Sequence, residues 1–304
     1  MAQRHKILLT GMLGQVGWEL RRSLAPLGQV IAVDRAQLDL ADPDAIRHVV
    51  REVRPTLIVN PAAYTAVDQA ESEPKLAMAV NGIAPGILAE EAKRLGAMLV
   101  HYSTDYVFDG AKHGAYQETD ATNPLGVYGT TKLAGEQAIQ AIAGQHLIFR
   151  TAWVYGLRGR NFFLTMLRLA QEKDALRVVD DQRGSPTWSR MIAETTALAI
   201  ARWNGAESGI YHLTCGGETS WYGFAQAILQ EYQARQAERN WPPLKVAPGD
   251  IEAITTEQYP LPAKRPANSV LDNSRLEAAF AVAVPDWREA LSLAMDGKEP
   301  LRPD

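Results

Sequence analysis

A glycine-rich turn near the N-terminus constrains the fold of this chain more than any other stretch. Gly11, Gly14 and Gly17 follow the apolar run 6–10 and precede a segment, 18–27, with the spacing of a helix. Strand, glycine spacing and helix together favour a dinucleotide site over a plain glycine-rich turn. The glycines allow a tight turn, close approach of a pyrophosphate and close packing of helix on strand. The free N–H groups of the helix N-terminus would face the phosphates.

Short apolar runs and helical segments alternate after this turn. The runs 29–33, 56–60 and 97–102 are typical of buried parallel strands, and the segments between them are typical of helices. This alternation predicts an α/β fold with a doubly wound parallel sheet of the Rossmann type. Ligands of such sheets bind at the carboxyl ends of the strands. Four candidate residues fall at such ends: Gly11, Asp34, Ala63 and Thr104.

The residues after the second and third predicted strands bear on the cofactor. The carboxylate of Asp34 can accept hydrogen bonds from ribose hydroxyls, which favours NAD. The neighbouring Arg35 can instead meet a 2′-phosphate, so the sequence leaves NADH versus NADPH open. The third strand runs into a stretch rich in small residues, along which a cofactor would lie. That stretch includes Ala62, Ala63, Tyr64 and Thr65.

Tyr128 and Lys132 carry the chemistry predicted for this edge of the sheet. They are four residues apart and share a face if the segment after Pro124 is a helix. A lysine cation beside a tyrosine favours the phenolate and is expected to lower the tyrosine pKa, which suits proton exchange with a carbonyl or an alcohol. The Thr104 hydroxyl can bond the same oxygen. A Tyr-x-x-x-Lys pair alone is a weak signal, and the upstream glycine pattern strengthens it.

The pattern changes past residue 156 and predicts a second unit. We expect a dinucleotide-binding domain over 1–172, with helix 188–203 packed back onto it, and a mainly substrate-binding domain over 173–304. Two side chains have two interpretations each. Trp153, at a strand end, can pack on a sugar ring or base or fill the core. Arg265 can bind a phosphate or lie solvated at the surface.

Composition narrows the functional class. The net charge of −4 gives no basic footprint for nucleic acid. One cysteine, Cys215, and six scattered histidines give no metal-ligand spacing, so we expect no metal site. No apolar run reaches the length of a membrane span, and no signal-peptide pattern precedes the first strand. We therefore expect a cytoplasmic protein that binds neither nucleic acid nor membrane.

Several motifs, taken together, resemble one family. The resemblance is to the dTDP-4-dehydrorhamnose reductases, within the extended short-chain dehydrogenase/reductase superfamily, and it spans nearly the whole chain. The motifs that carry it are Gly14-Gln15-Val16-Gly17, Thr65-Ala66-Val67-Asp68, Ser103-Thr104-Asp105-Tyr106-Val107-Phe108, Tyr128-Gly129 with Thr131-Lys132-Leu133-Ala134-Gly135-Glu136, Arg150-Thr151 with Trp153-Val154-Tyr155, and Arg265-Pro266.

The resemblance implies the last step of dTDP-L-rhamnose synthesis, in which hydride from NADPH or NADH reduces C4 of dTDP-4-dehydro-L-rhamnose. It implies that Tyr128 protonates the C4 oxygen, that Thr104 binds this oxygen, and that Lys132 lowers the Tyr128 pKa and holds the nicotinamide ribose. Asp105 and Trp153 would contact the sugar together with Thr104. The resemblance also implies a set of residues around the cofactor: Gly14, Gln15, Val16, Asp34, Asp39, Leu40, Ala63, Tyr64, Thr65 and Tyr102.

Oligomeric state and two other functions stay open. The resemblance implies that some family members are metal-linked dimers held by glutamates, but Arg190 stands where one such carboxylate would be, which argues against such a metal here. Both a monomer and a homodimer stay open. An epimerase or 4,6-dehydratase of the same fold is one alternative, although a dehydratase would carry Glu where Tyr106 follows Asp105. A regulatory subunit resembling that of methionine adenosyltransferase is the other. The intact Thr104, Tyr128 and Lys132 favour the enzyme.

Overall fold

The computed structural model describes residues 4–142, 144–205 and 207–297. Residues 1–3, which begin the first predicted domain and the stretch without a signal-peptide pattern, lie outside these described residues. Residues 298–304, which end the second predicted domain, also lie outside them. In chain order the strands are β1 His5–Leu9, β2 Gly28–Ala32, β3 Leu57–Asn60, β4 Met98–Thr104, β5 His146–Thr151, β6 Val154–Tyr155, β7 Leu176–Val179, β8 Arg183–Gly184, β9 Thr187–Trp188, β10 Gly209–His212, β11 Thr219–Ser220 and β12 Ile251–Ile254.

The helices surround these strands. In chain order they are α1 Gln15–Ser23, α2 Pro43–Val53, α3 Val67–Ala70, α4 Pro74–Met78, α5 Ala84–Leu95, α6 Val127–Ile142, α7 Phe162–Glu172, α8 Ser189–Arg202, α9 Trp221–Arg239, α10 Ser274–Phe280 and α11 Trp287–Asp296. No helix among the described residues is long and apolar enough to cross a membrane.

One six-stranded parallel sheet organises the molecule. Its order is β10-β5-β4-β3-β1-β2, and each of its neighbouring pairs is parallel. The chain leaves β1 for β2 on one side and returns past β1 to β3 on the other, so a topological switch point lies between β1 and β3. In a sheet of this kind, a ligand binds in the crevice beyond the carboxyl ends of the strands at such a switch point. The predicted doubly wound α/β fold is confirmed.

The two faces of the sheet bury separate apolar clusters, as alternating strand residues require. Ile7 and Leu9 belong to the larger cluster, which includes residues of α1, α7, α8, α9 and α11. Leu8, between them, belongs to the other cluster, with residues of α2, α5 and α6. Helices therefore cover both faces, and the carboxyl edge is left for the site.

The second half of the chain joins this frame at several points. The sheet ends in β10, which pairs with β5, and α8 packs against α1. Two short strands, β7 and β12, pair in parallel apart from the main sheet. The stretch 67–95, which the sequence suggests is largely helical, is divided into α3, α4, a π-helical turn at Ala79–Ile83 and α5.

Candidate active site

A cleft of about 710 Å³ opens along the carboxyl edge of the main sheet. It runs from the turn between β1 and α1 to the first residues of α6. Most of the predicted site residues line it: Gly11, Gly14, Gln15, Val16, Gly17, Ala62, Ala63, Thr65, Tyr102, Thr104, Asp105, Tyr128, Lys132 and Trp153. A smaller adjoining cavity of about 170 Å³ is lined by the rest of the predicted cofactor set: Asp34, Arg35, Asp39, Leu40 and Tyr64.

The glycine turn has the geometry that a dinucleotide phosphate needs. Gly11 adopts a left-handed φ of 58°, which favours glycine. A Cβ on Gly17 would lie 2.1 Å from the Gly11 carbonyl oxygen, so no larger residue fits without movement. Gly14 is the N-cap residue of α1 and has no side chain that could bond the first N–H groups of the helix. The first N–H groups of α1 are thus left for a ligand, and these residues fit a bound pyrophosphate.

The corner beyond β2 does not by itself select one nicotinamide cofactor. One carboxylate oxygen of Asp34 accepts hydrogen bonds from the backbone N–H groups of Ala36 and Gln37, at 2.9 and 3.2 Å. Arg35 lies 3.5 Å from Asp39, and its side chain is 78% exposed. Asp34 therefore shapes its own loop, while Arg35 is free to turn toward a phosphate. Asp34 and Arg35, which leave both NADH and NADPH open in the sequence, therefore leave both open in the structure.

Thr104, Tyr128 and Lys132 converge at the other end of the cleft. Thr104 ends β4, and the two other residues lie one turn apart on α6. The Thr104 hydroxyl donates to Asp105 Oδ1 at 2.9 Å and accepts from the Tyr106 N–H at 3.2 Å. Hydroxyls of a threonine and a tyrosine beside one cleft can both meet a carbonyl oxygen.

The structure corrects the predicted direction of the Tyr128 pKa. Burial raises the pKa of Tyr128 to about 12, although a hydrogen bond with Thr104 opposes this rise. Burial also lowers the pKa of Lys132 to about 8, while the nearby Glu136 opposes that change. The Lys132 ammonium is bound behind the cleft, where Nζ donates to the Tyr102 carbonyl at 2.5 Å. Desolvation and the nearby charge of Asp105 therefore set the direction of the Tyr128 shift.

Asp105 is a buried carboxyl at the same end of the cleft. It is 3% exposed, and among the described residues its Oδ2 has no hydrogen-bond partner. Burial raises the pKa of Asp105 to about 6, and hydrogen bonds from Ser269 and Thr104 oppose the rise. A buried acceptor that faces a cleft is suited to a sugar hydroxyl, and its ionisation destabilises the free protein.

Asp105→Asn is expected to raise the free energy of unfolding by about 1–3 kcal/mol near pH 8. The folded-state pKa of Asp105 lies above the ordinary value of 3.8. Its ionisation therefore begins to destabilise the fold as the pH rises above about 4, and this effect is complete above about pH 6. Urea unfolding at about pH 4 and pH 8 measures the difference, with Asp174→Asn, at a side chain that is 96% exposed, as control. An equal effect at the two pH values would contradict this assignment.

A buried ion pair lies one turn further along α6. Arg150, on β5, donates to both carboxylate oxygens of Glu136, at 2.9 and 2.7 Å. The side chains are 3% and 1% exposed, respectively. Tyr128, Lys132 and Glu136 thus recur at every fourth residue of α6. Sequence reasoning missed this pair, although the repeat of a polar residue on the face that carries Lys132 was a signal for it.

Trp153 both packs and lines the cleft. Its ring stacks on Trp221 with centroids 3.6 Å apart and planes 7° apart. Its backbone has a φ of 48°, which is rare for a bulky residue. A Cβ on Gly184 would lie 2.4 Å from Trp153 Cε2. The side chain is therefore held on one side, and contact with a sugar through the cleft stays a prediction.

Arg265 is bound to another element of the protein. Its guanidinium donates to the two carboxylate oxygens of Asp68, on α3, at 2.7 Å each. It also contacts the carbonyl of Ala263. Val67, which precedes Asp68 on α3, lines the cleft. The structure thus ties the loop that carries Arg265 to the rim of the cleft, and a phosphate contact by Arg265 stays a prediction.

Arg190 lies on α8, which packs against α1. Its Nε is 3.3 Å from a carboxylate oxygen of Glu19, on α1. Within 4–142, 144–205 and 207–297, no group of three or more His, Cys, Asp or Glu side chains could hold a metal ion. The ion pair places an arginine where a metal-binding carboxylate was considered, and the expectation of no metal site stays a prediction.

Comparisons with known proteins agree with the geometry. The chain matches the family model described as the RmlD substrate binding domain over residues 5–299. It is similar to the dTDP-4-dehydrorhamnose reductase of Burkholderia thailandensis, with 51% identity over 95% of this chain and 98% of the relative. It is also similar to that of Escherichia coli K12, with 47% identity over 93% and 94%. A solved structure of dTDP-4-dehydrorhamnose reductase from Bacillus anthracis in complex with NADP has a TM-score of 0.88 at 33% identity, covering 97% of this chain and 100% of that one.

Proposed function

This chain belongs to the RmlD family, whose members include dTDP-4-dehydrorhamnose reductases, and on that premise we propose that it reduces dTDP-4-dehydro-L-rhamnose to dTDP-L-rhamnose with NADPH or NADH. The observation that carries the proposal is the placement of Thr104, Tyr128 and Lys132 in the same cleft as the uncapped N-terminus of α1. Together they supply a phosphate site and a proton donor along one edge of the sheet.

The chemistry divides between the cofactor and the residues of the chain. A bound nicotinamide cofactor supplies the hydride for C4 of the sugar. The Thr104 hydroxyl binds the C4 oxygen, and the Tyr128 hydroxyl gives its proton to this oxygen, which completes the alcohol. Because the pKa of Tyr128 is about 12, this hydroxyl holds its proton at neutral pH and acts as the acid of a reduction. Lys132, with a pKa of about 8, can return a proton to the phenolate.

We assign the remaining roles as part of this proposal. Gly11, Gly14, Gln15, Val16 and Gly17 bind the pyrophosphate, and the residues of the smaller cavity bind the adenosine. Lys132 holds the nicotinamide ribose. Thr104, Asp105, Trp153 and Arg265 position the nucleotide sugar. The chain before residue 173 serves mainly the cofactor and the chain after it mainly the sugar.

Location and assembly are also proposals. We place the reaction in the cytoplasm, because its substrate and its reductant are both nucleotides that cells keep there. We propose a monomer or a homodimer, and the ion pair between Arg190 and Glu19 argues against a metal at this face.

The direct test is the loss of reduced-nicotinamide absorbance in the presence of dTDP-4-dehydro-L-rhamnose made in the same tube by the preceding dehydratase and epimerase. We expect loss that requires this protein and gives dTDP-L-rhamnose as product. Omission of the epimerase is the control for substrate identity. Parallel reactions with NADPH and NADH show which of the two cofactors the site with Asp34 and Arg35 prefers. A folded protein that binds nucleotide but consumes neither reductant would contradict the proposed substrate.

A further inference from the structure

A histidine as well as a backbone carbonyl lies behind Lys132. Its Nζ lies 3.4 Å from Nε2 of His101 in addition to its bond to the Tyr102 carbonyl. Lys132 and His101 are each 1% exposed. Burial and the charge of Lys132 hold the pKa of His101 well below its usual value. His101 is therefore a neutral imidazole, which carries one proton on one of its two ring nitrogens.

The other nitrogen of His101 begins a buried chain of hydrogen bonds along the edge of the sheet. Nδ1 lies 3.1 Å from Asn60 Nδ2, and the two residues are paired in the register of β3 and β4. Asn60 Oδ1 accepts from the Thr10 hydroxyl at 2.6 Å. The Thr10 oxygen in turn accepts from the backbone N–H of Ala62 at 3.4 Å. The chain thus runs from Lys132 across β4 and β3 to the residue after β1.

The donors and acceptors of this chain favour one position of the imidazole proton. The Thr10 hydroxyl has one proton, and Asn60 Oδ1 accepts it; the reverse orientation of the amide would remove that acceptor. Asn60 Nδ2 therefore points at His101 and donates, so Nδ1 of His101 accepts. A neutral imidazole with an accepting Nδ1 carries its proton on Nε2. The resulting N–H faces Lys132 Nζ, which can accept a hydrogen bond only as an uncharged amine.

We propose that Thr10, Asn60 and His101 form a positioning network that presents an N–H group to Lys132 and so favours transfer of its proton toward Tyr128. The network deepens the proposed function, on which its catalytic meaning rests. As the N–H bond of the Lys132 ammonium breaks, the proton forms an O–H bond on the Tyr128 phenolate, and the neutral amine is stabilised by His101. Water at the cleft then restores the proton of Lys132.

Other charged groups around Lys132 act in both directions. Glu136, on the same helix, favours the ammonium, but Arg150 of β5 binds both of its carboxylate oxygens. Tyr128 and Asp105 lie on the cleft side, toward substrate and cofactor. His101 is the titratable group that contacts Nζ from β4. The network therefore opposes the residual attraction of Glu136 for the Lys132 proton.

The first test reads the tautomer and does not require activity. Nitrogen-15 histidine labelling with a long-range proton–nitrogen correlation distinguishes a protonated from an unprotonated ring nitrogen, and His101→Gln assigns the signals. In the unliganded protein at about pH 9.5, above the Lys132 pKa, we expect Nδ1 of His101 unprotonated and Nε2 protonated. A proton on Nδ1 would overturn the proposal. This result stands even if the protein does not reduce the expected sugar, so the two proposals fail separately.

The second test reverses the network. Asn60→Asp replaces the donor with a carboxylate, so His101 must donate from Nδ1 and accept from the Lys132 ammonium through Nε2. We expect the basic limb of the kcat profile to move upward by about one pH unit or more. Asn273→Asp, which makes the same exchange at another buried amide away from the cleft, is the matched control and should leave the profile in place. An unmoved limb in Asn60→Asp would count against the network. If this variant does not fold, Thr10→Val frees the amide and should shift the His101 proton toward Nδ1.

Discussion

Tyr128→Phe is expected to lower kcat by a factor of about 10²–10⁴, the range for loss of a general acid. The hydroxyl is the group that gives a proton to the sugar oxygen, and the other residues of the cleft stay in place. The ring itself packs edge-on against Tyr106, with centroids 5.5 Å apart, and phenylalanine keeps that contact. The KM for the nucleotide sugar is therefore expected to change far less than kcat.

Steady-state kinetics at saturating cofactor, with nucleotide binding measured separately, separates these effects. Tyr222→Phe is the matched control, since its hydroxyl bonds Gln226 on α9 and it does not line the cleft. That variant should retain the activity of the unchanged protein. A Tyr128→Phe protein that turns over within a few-fold of the unchanged enzyme would show that another group donates the proton.

Glu136→Gln is expected to lower the free energy of unfolding by about 3–5 kcal/mol. The substitution leaves the Arg150 guanidinium buried without its counter-charge. One of its nitrogens, Nη1, already has no hydrogen-bond partner among the described residues. The guanidinium also lies 5.0 Å over the Phe108 ring, so it cannot move to solvent without disturbing the core. The loss reflects an uncompensated buried charge more than the strength of the original pair.

Urea unfolding followed by circular dichroism measures this loss. Glu172→Gln is the control, because it breaks a pair with Arg168 whose side chains are 49% and 55% exposed, and exposed pairs contribute at most about 1 kcal/mol. The joint replacement Glu136→Leu with Arg150→Met should recover much of the stability if Glu136→Gln fails to fold. Equal losses at positions 136 and 172 would mean that the buried pair has no special role.

The parallel sheet and its helices were accessible to sequence reasoning because local patterns specify them. The alternation of apolar runs predicted a helix between the second and third strands, where the structure has α2. The first four strands lie within a residue or two of the predicted runs. The position of the glycine turn and of Thr104 at strand ends then brought their chemistry to one edge. These features depend on neighbours close in sequence.

Features that depend on distant residues or on desolvation were not accessible. The pairing of β7 with β12 joins segments far apart in the chain, and no local period specifies it. The same is true of the ion pair between Glu136 and Arg150 and of the contact between His101 and Lys132. The sequence also suggested an attraction between Lys132 and Tyr128 that lowers the tyrosine pKa. Desolvation reverses that direction, and it follows only from the assembled fold.

The stacking of Trp153 also limits which substitutions the chain can accept one at a time. Any side chain at position 184 would overlap the Trp153 indole, while that indole is held in place by Trp221. A mutational library that varies position 184 alone would therefore yield mostly defective clones. Once a smaller residue replaces Trp153, the same changes become acceptable. Redesign toward bulkier or smaller sugars should thus randomise positions 153 and 184 together, because the residue at each position determines which residues fit at the other.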